Sequence, residues 1–481
     1  MSQTLASRLV CGGCGLPLAD GAPLTLRCPH SGDGGDHVLL RELEEDALSR
    51  GLTGDQSYSN PFIRWRQRLH AWHLAMQKGW TDEEFVALVE RLDGEVRQVD
   101  LGRGFVITPL LASTDLAQSL GMSAPVWVKD ETGNVSGSHK ARHLFGVLLL
   151  LEVAGGEWAQ RPLAIASCGN AALAASVLAR AANRKLDVYI PGDAEPRVVE
   201  RLGELSSQIN ICERQPGEAG DPCFLRFLEG TAAGSIAFAC QGPENGFAIE
   251  GGETLGWELA SGLAEAHQPL DRLFIQVGGG ALASAVARGI DQAVSGQWLP
   301  AQPKLHPVQT LGCYPLARAY ERIARQMDEA VGAPGESATA QLYSEADPSP
   351  EAVQIRAQRA QRLARLWLDP AIQGVFARAV RDRASVMWPW EDAPHSIAHG
   401  ILDDETYDWV AILRHVFASG GYPVVVSEAQ LEQANALGQA STGIPVCATG
   451  SSGLAGLMAL RQVHAVAPDE AVALFFTGVT R

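Results

Sequence analysis

The sequence predicts an α/β protein of two lobes, built on parallel-rich twisted sheets, with a small cysteine-bearing unit ahead of them. Three observations carry this reading. Between residues 163 and 300, short apolar runs alternate with helical ones, the pattern of parallel strands joined by crossover helices. Two of those strands run straight into turns of small residues that open a helix, Ser167-Cys168-Gly169-Asn170 and Gly278-Gly279-Gly280-Ala281. Finally, 481 residues with 46% hydrophobic content exceed one ordinary domain and can fill two cores.

Taken in order, residues 1–45 stand apart. Cys11 and Cys14 have the spacing of a zinc knuckle, and Cys28-Pro29-His30 begins a second knuckle whose last cysteine is missing. His30 or His37 would complete a Cys3His set with Cys11, Cys14 and Cys28. The alternative is a degenerate ribbon that folds on its hairpins without metal. Residues 46–125 read as a helical link and the start of the next domain. Asn60-Pro61 signals a turn, and Ile63, Trp65, Leu69, Trp72 and Leu74 then recur at helical spacing. Arg64, Arg66 and Arg68 on this stretch are expected to form a solvated face, the alternative being that one of them reaches an anionic substrate group.

Val126–Leu151 is the stretch the chain is organised around. A short strand (Val126–Val128) gives way to a polar, glycine-bearing turn, and Lys140 then heads a strongly apolar helix. A buried helix is a poor place for an ammonium, because desolvation opposes the charge. It is a good place for a nucleophilic amine of lowered pKa that forms a Schiff base. The bland reading is a lysine that snorkels to solvent.

The clearest further strands are Leu163–Ala166, Asp187–Ile190, Ser235–Ala239 and Leu273–Val277, with another at Val424–Ser427 and a helix over Glu428–Gln439. Residues 325–350, acidic and bearing Pro and Gly, are expected to form an exposed loop. The turn at Ser167–Asn170 offers backbone N–H groups to an anion, although Asn170 could simply cap its helix. The turn at Gly278–Ala281 lets the backbone approach a phosphate. It half-matches a dinucleotide-binding loop, but that reading needs an acidic residue about 20 positions on. Gln292 to Gln326 contains only Glu321. Cys168 is read as a small filler of its turn, since no motif supplies a base to make its thiol a nucleophile.

Lys129, Glu131, Asn134, Ser136, Gly137, Ser138 and Lys140 follow a pattern that resembles threonine synthases and the wider tryptophan-synthase-β-like (fold type II) family of pyridoxal-phosphate enzymes. His139 before the lysine departs from threonine synthases and is similar to tryptophan synthase β chains. The resemblance implies pyridoxal 5′-phosphate bound to Lys140, which then serves as general base at the substrate's α-carbon. It assigns Asn170 to the cofactor's phenolic oxygen, Ser167, Cys168 and Gly169 to the substrate carboxylate, and Gly278, Gly279, Gly280 and Ala281 to the phosphate. Thr449 is aligned with the hydroxyl that faces the pyridine nitrogen, with Ser452 as the alternative. Threonine synthases also begin with a similar ribbon, so zinc at Cys11, Cys14 and Cys28 is a second expected cofactor.

The implied architecture is a zinc-ribbon-like unit (1–45), the link (46–125), a smaller lobe with the lysine segment and Asn170 (126–245), and a large cofactor-binding lobe (246–481). The implied activity is elimination or replacement at the β- or γ-carbon of an amino acid, threonine-synthase-like. A dehydratase, ammonia-lyase or β-replacement synthase is the alternative. A catalytically idle, ligand-sensing relative is a third reading, against which the intact Lys140, Asn170 and glycine turn count.

Composition narrows the partners. A net charge of −17 argues against nucleic acid or an anionic membrane, leaving a small amino-acid substrate and a second copy of the chain as candidates. No apolar run reaches membrane-span length, and nine scattered cysteines suit a reduced, cytoplasmic setting. The sequence lacks His-Glu-x-x-His and Gly-x-Ser-x-Gly, and Gly137 breaks a Ser-x-x-Lys reading of Lys140.

Overall fold

The computed structural model describes residues 7–19, 21–44, 54–215, 218, 220–333 and 343–481. The chain begins with strands β1 (Ser7–Cys11) and β2 (Leu39–Leu43), then helices α1 (His70–Gln77) and α2 (Asp82–Val99). Strands β3 (Leu110–Ser113) and β4 (Val126–Asp130) lead to helix α3 (Lys140–Ala154). Next come β5 (Leu163–Ala166), α4 (Asn170–Ala181), β6 (Leu186–Pro191), β7 (Gln208–Cys212), α5 (Pro222–Ala232), β8 (Ile236–Ala237) and α6 (Phe247–Glu265). Then follow β9 (Arg272–Gln276), α7 (Ala281–Ser295), β10 (Lys304–Thr310) and α8 (Pro315–Ala330). The last elements are α9 (Trp409–Ser419), β11 (Val424–Val426), α10 (Glu428–Thr442), α11 (Ala448–Gln462) and β12 (Val472–Phe476).

These strands form two larger sheets and a hairpin. Strands β7-β6-β5-β8 make an all-parallel sheet, and β11-β10-β9-β12-β4-β3 a six-stranded one in which only β3 runs antiparallel. Parallel sheets need both faces covered, and the near-continuous apolar runs of β5, β9 and β12 meet that need. One apolar core surrounds the large sheet. A second joins the smaller sheet to α1, α2 and α3. Strands β1 and β2 pair antiparallel, with Cys11 opposite Leu39. Among the described residues, no helix is long and apolar enough to cross a membrane.

Helix α3 is buried almost throughout, as its sequence predicts. Its close partner is α6, and Gly146 and Gly251 make that approach possible. A β-carbon on Gly146 would lie 2.8 Å from Gly251 Cα, and one on Gly251 would lie 2.2 Å from the Arg142 carbonyl oxygen. Beneath this crossing lies a charge-balanced, buried cluster. Arg142 Nε donates to Glu131 at 2.8 Å, its Nη1 to Glu258 at 2.5 Å, and Lys129 Nζ meets Glu258 at 2.5 Å. Burial opposes the Arg142 charge, but Glu131 and Glu258 outweigh it and raise its pKa. Removing one partner would strand a buried charge, so the cluster fixes α3 to β4 and α6.

Two expectations change. Arg66 and Arg68 do not form a solvated face: both are buried. Arg66 is held by Asp82 at 2.6 Å, and the Arg68 guanidinium lies over Trp257 and Trp298, partners that only the tertiary fold supplies. The expected loop over 325–350 starts later than its composition suggests. Helix α8 continues to Ala330, with Ile323, Ala324 and Met327 buried on its inner face, and a further helix begins at Pro350. Residues 334–342 of that stretch lie outside the described residues, as do 46–53 of the link and residue 45 before it.

Candidate active site

In open α/β sheets, ligands bind beyond the carboxyl ends of the strands. The turns after β4, β5, β9 and β12 all emerge at such ends, and they carry Lys140, Asn170, Gly278–Gly280 and Thr477. Lys140 is the first residue of α3 and only half-buried, because its side chain leaves the core at the helix start. Its charge is felt by Cys240, Asp403 and Asp408. The backbone before it is shaped for the turn, with Ser136 at φ +56 and Gly137 at φ +70. Ser138 bridges to Gly478, and the His139 N–H donates to the Thr477 carbonyl at 3.2 Å, tying the lysine turn to the end of β12.

Asn170 opens α4. Its Oδ1 accepts from Arg481 Nη1, and its Nδ2 faces Gly478. Ser167, Cys168 and Gly169 form the turn before it. Cys168 reaches solvent; dehydration raises its thiol pKa, and Asp221, Asp193 and Asp403 raise it further.

The glycine turn lies against residues 401–408. Gly280 sits at φ +104, a conformation that suits glycine. Thr406 Oγ1 donates to the Gly278 carbonyl at 3.0 Å, and the Gly279 N–H donates to Asp403 Oδ2 at 2.7 Å. This contact tests the turn as an anion cradle. At the head of the 15-residue α7, the Gly279 N–H already donates to a carboxyl oxygen, as it would to a phosphate oxygen. Burial raises the Asp403 pKa while Lys140 opposes it. Wholly buried Asp408 is pushed well above the usual carboxylate range, by burial first and then by Asp36.

A family model described as "Pyridoxal-phosphate dependent enzyme" matches residues 102–368, more than half the chain. The chain belongs to that family. Solved structures agree on the fold. Threonine deaminase isoform 2 from Solanum lycopersicum is 14% identical with a TM-score of 0.54, covering 83% of this chain and 91% of that one. Diaminopropionate ammonia lyase from Escherichia coli is 15% identical with a TM-score of 0.54, covering 81% and 88%. Maize serine racemase is 15% identical with a TM-score of 0.52, covering 82% and 93%. No curated protein sequence matches. The pyridoxal-phosphate enzyme therefore has the fold type II architecture, and its cofactor is pyridoxal phosphate.

Thr449, Ser452 and Thr477 carry hydroxyls with different surroundings. Thr449 Oγ1 accepts from the Gly400 N–H at 3.0 Å, and Ser452 Oγ turns back on its own helix, donating to the Ala448 carbonyl at 2.9 Å. Thr477, which sequence reasoning passed over, is buried at the end of β12, where its Oγ1 accepts from Gln276 Nε2 at 2.6 Å. The apolar run Val472–Phe476 followed by Thr-Gly was the signal available for it. Asp403 and Arg481 were also missed, and each lies more than 100 residues from its partner in the site.

The N-terminal unit gathers Cys11, Cys14, Cys28 and His37, whose ligand atoms all lie within 4.8 Å of one another. His37 Nε2 contacts Asp33 Oδ1 at 2.8 Å, so Nε2 carries the proton and Nδ1 presents a lone pair towards Cys11 Sγ, 3.5 Å away. His30 Nδ1 lies 3.7 Å from Cys14 Sγ at the exposed side. Hydrogen bonds from Leu16 and neighbouring side chains outweigh burial and lower the Cys14 thiol to about 6.

Proposed function

We propose that this enzyme is a lyase that removes or replaces a β- or γ-substituent of an amino acid. The observation that carries the proposal is the convergence of Lys140, Asn170, the Gly278–Gly280 cradle and a buried hydroxyl at one set of strand ends. The cofactor, when bound, withdraws electrons from the substrate's α-carbon. Lys140 would hold it through Nζ and, with that nitrogen free, would take the substrate's α-proton as general base. Gly278, Gly279, Gly280 and Ala281 would hold the phosphate, with Asp403 leaving Gly279. The amide of Asn170 would donate to the phenolic oxygen, and the Ser167–Gly169 turn would grip the substrate carboxylate.

Thr477 competes with Thr449 as the group facing the pyridine nitrogen, and its place beside Gln276 and the lysine turn favours it. A hydroxyl partner leaves that nitrogen unprotonated, a weaker electron sink suited to elimination. A threonine-synthase-like reaction and the ammonia-lyase or dehydratase alternative differ in their products, which separates them in a substrate screen. Cys11, Cys14, Cys28 and His37 are proposed to hold a structural zinc ion.

Borohydride reduction followed by peptide mass analysis should fix the cofactor to Lys140, and Lys140→Ala should abolish the label. Screening β-substituted amino acids for release of ammonia and a 2-oxo acid then identifies the substrate. Label on another lysine would overturn the reading of the site, and labelled enzyme that turns over no amino acid would overturn the reading as a lyase.

A further inference from the structure

Arg481 stands where two halves of the site meet. Its Nη1 donates to Asn170 Oδ1, and its Nη2 donates to the Ser136 carbonyl at 2.6 Å. Ser136 belongs to the turn before Lys140, held at φ +56 and anchored from the other side by Asp100, whose Oδ2 accepts the Ser136 N–H at 2.7 Å. One guanidinium therefore fastens the lysine turn to the head of α4.

The chemistry of this contact settles a question the Asn170 amide leaves open. An asparagine side chain can present either end, and its two orientations have nearly the same shape. A guanidinium carries only donors. With Arg481 on one side, the amide oxygen must face it, so the NH2 group must face the opposite side, where Gly478 lies. A cation on the oxygen also polarises the amide and strengthens its N–H groups as donors.

We infer that Arg481 is a positioning residue, which locks Asn170 with its NH2 group towards the cofactor's phenolic oxygen and strengthens that donation. The inference rests on the proposed role of Asn170. Without Arg481 the amide is free to turn, and its oxygen would then repel the phenolate.

The bound cofactor's visible band reports loss of the proton that Lys140 Nζ shares with the phenolic oxygen. A donor on that oxygen stabilises it most once the proton has gone, so it lowers the pH at which the band titrates. Weakening the donor must move the titration upwards. One weakened hydrogen bond corresponds to roughly half to one pH unit.

The test is a spectrophotometric pH titration of the full-length holoenzyme as wild type, Arg481→Met, Asn170→Ala and the double variant. We expect both single variants to titrate at higher pH, and Arg481→Met to add nothing once Asn170 is alanine. Arg481→Lys, which keeps the charge but cannot fork to both partners, should fall between wild type and Arg481→Met. An unshifted Arg481→Met beside a shifted Asn170→Ala overturns the inference and leaves the role of Asn170 standing. If neither single variant shifts, the role of Asn170 falls and the inference with it. Additive shifts would mean that the guanidinium acts directly on the cofactor, which also overturns it.

Discussion

Asp403 holds the Gly279 N–H at 2.7 Å, in the place assigned to a phosphate oxygen, and two anions cannot share one donor at low cost. Neutralising it should ease cofactor capture. Asp403→Asn is expected to lower the pyridoxal phosphate dissociation constant about tenfold, the difference between a charge-assisted and a neutral hydrogen bond. Equilibrium titration of cofactor-free protein measures this, and an unchanged or weaker affinity would remove Asp403 from the cradle. Gly279→Val should act oppositely. A β-carbon there would lie 2.9 Å from Tyr407 Cδ2, so the turn must open and its phosphate contacts weaken. A loss of roughly one to two orders of magnitude in affinity follows from one such contact. Lys140, Asn170 and the glycine turn were legible because each sits where a strand meets a helix, a pattern written in adjacent residues. Asp403, Arg481 and the packing around Thr477 were not, because their roles come from partners far along the chain.

At the scale of elements, the ribbon hairpin docks on the body through Arg41 of β2. Its guanidinium meets Glu250 at 2.9 Å and also Glu253, both on α6. The His70 ring, at the start of α1, pairs through Nδ1 with the Ser7 hydroxyl of β1 at 2.9 Å, and the His70 backbone N–H donates to Glu250 at 3.0 Å. Burial lowers the His70 pKa to about 3 and, against the pull of Arg41, raises that of Glu250 to about 7. Their ordinary values are 6.5 and 4.5. Between those two pH values the unfolded pair carries one proton, on histidine, and the folded pair carries one, on Glu250. The two linkages cancel there. Glu250→Gln removes the opposing term, leaving a histidine whose folded pKa is depressed, so stability should fall as pH drops. The expected loss is about 1.4 kcal/mol per pH unit, or about 2.7 kcal/mol across the window. His70→Gln should show the reverse, with stability falling as pH rises. Denaturant unfolding of both variants across this range checks the signs, and parallel profiles would refute the exchange. The helical spacing around Arg66 and Arg68 was readable, but their burial was not. An arginine enters a core only where the fold supplies partners such as Asp82 and Trp257.

Across the whole molecule, the ribbon and the site are joined by a short chain of contacts. His37 is preceded by Asp36, whose Oδ1 accepts from Trp409 Nε1 at 3.1 Å, and Trp409 follows Asp408, whose N–H donates to the Gly279 carbonyl at 3.1 Å. A metal on Cys11, Cys14, Cys28 and His37 would thus stabilise one end of a path that ends at the glycine turn, without reaching the cofactor itself. Binding only the folded ribbon stabilises it by about 2.7 kcal/mol when free metal stands at 100 times its dissociation constant. A strong chelator should therefore lower the thermal transition while leaving the visible band of the bound cofactor in place. The histidines separate the two sequence readings of the fourth ligand. His37→Ala should lose stoichiometric zinc and reproduce the chelated protein, because Asp33 leaves the His37 Nδ1 lone pair as the available ligand. His30→Ala, at the exposed edge, should retain zinc. Elemental analysis with calorimetry on both variants decides this. Zinc retained by His37→Ala would move the fourth ligand to His30, and a visible band lost together with the metal would place the ion in the chemistry.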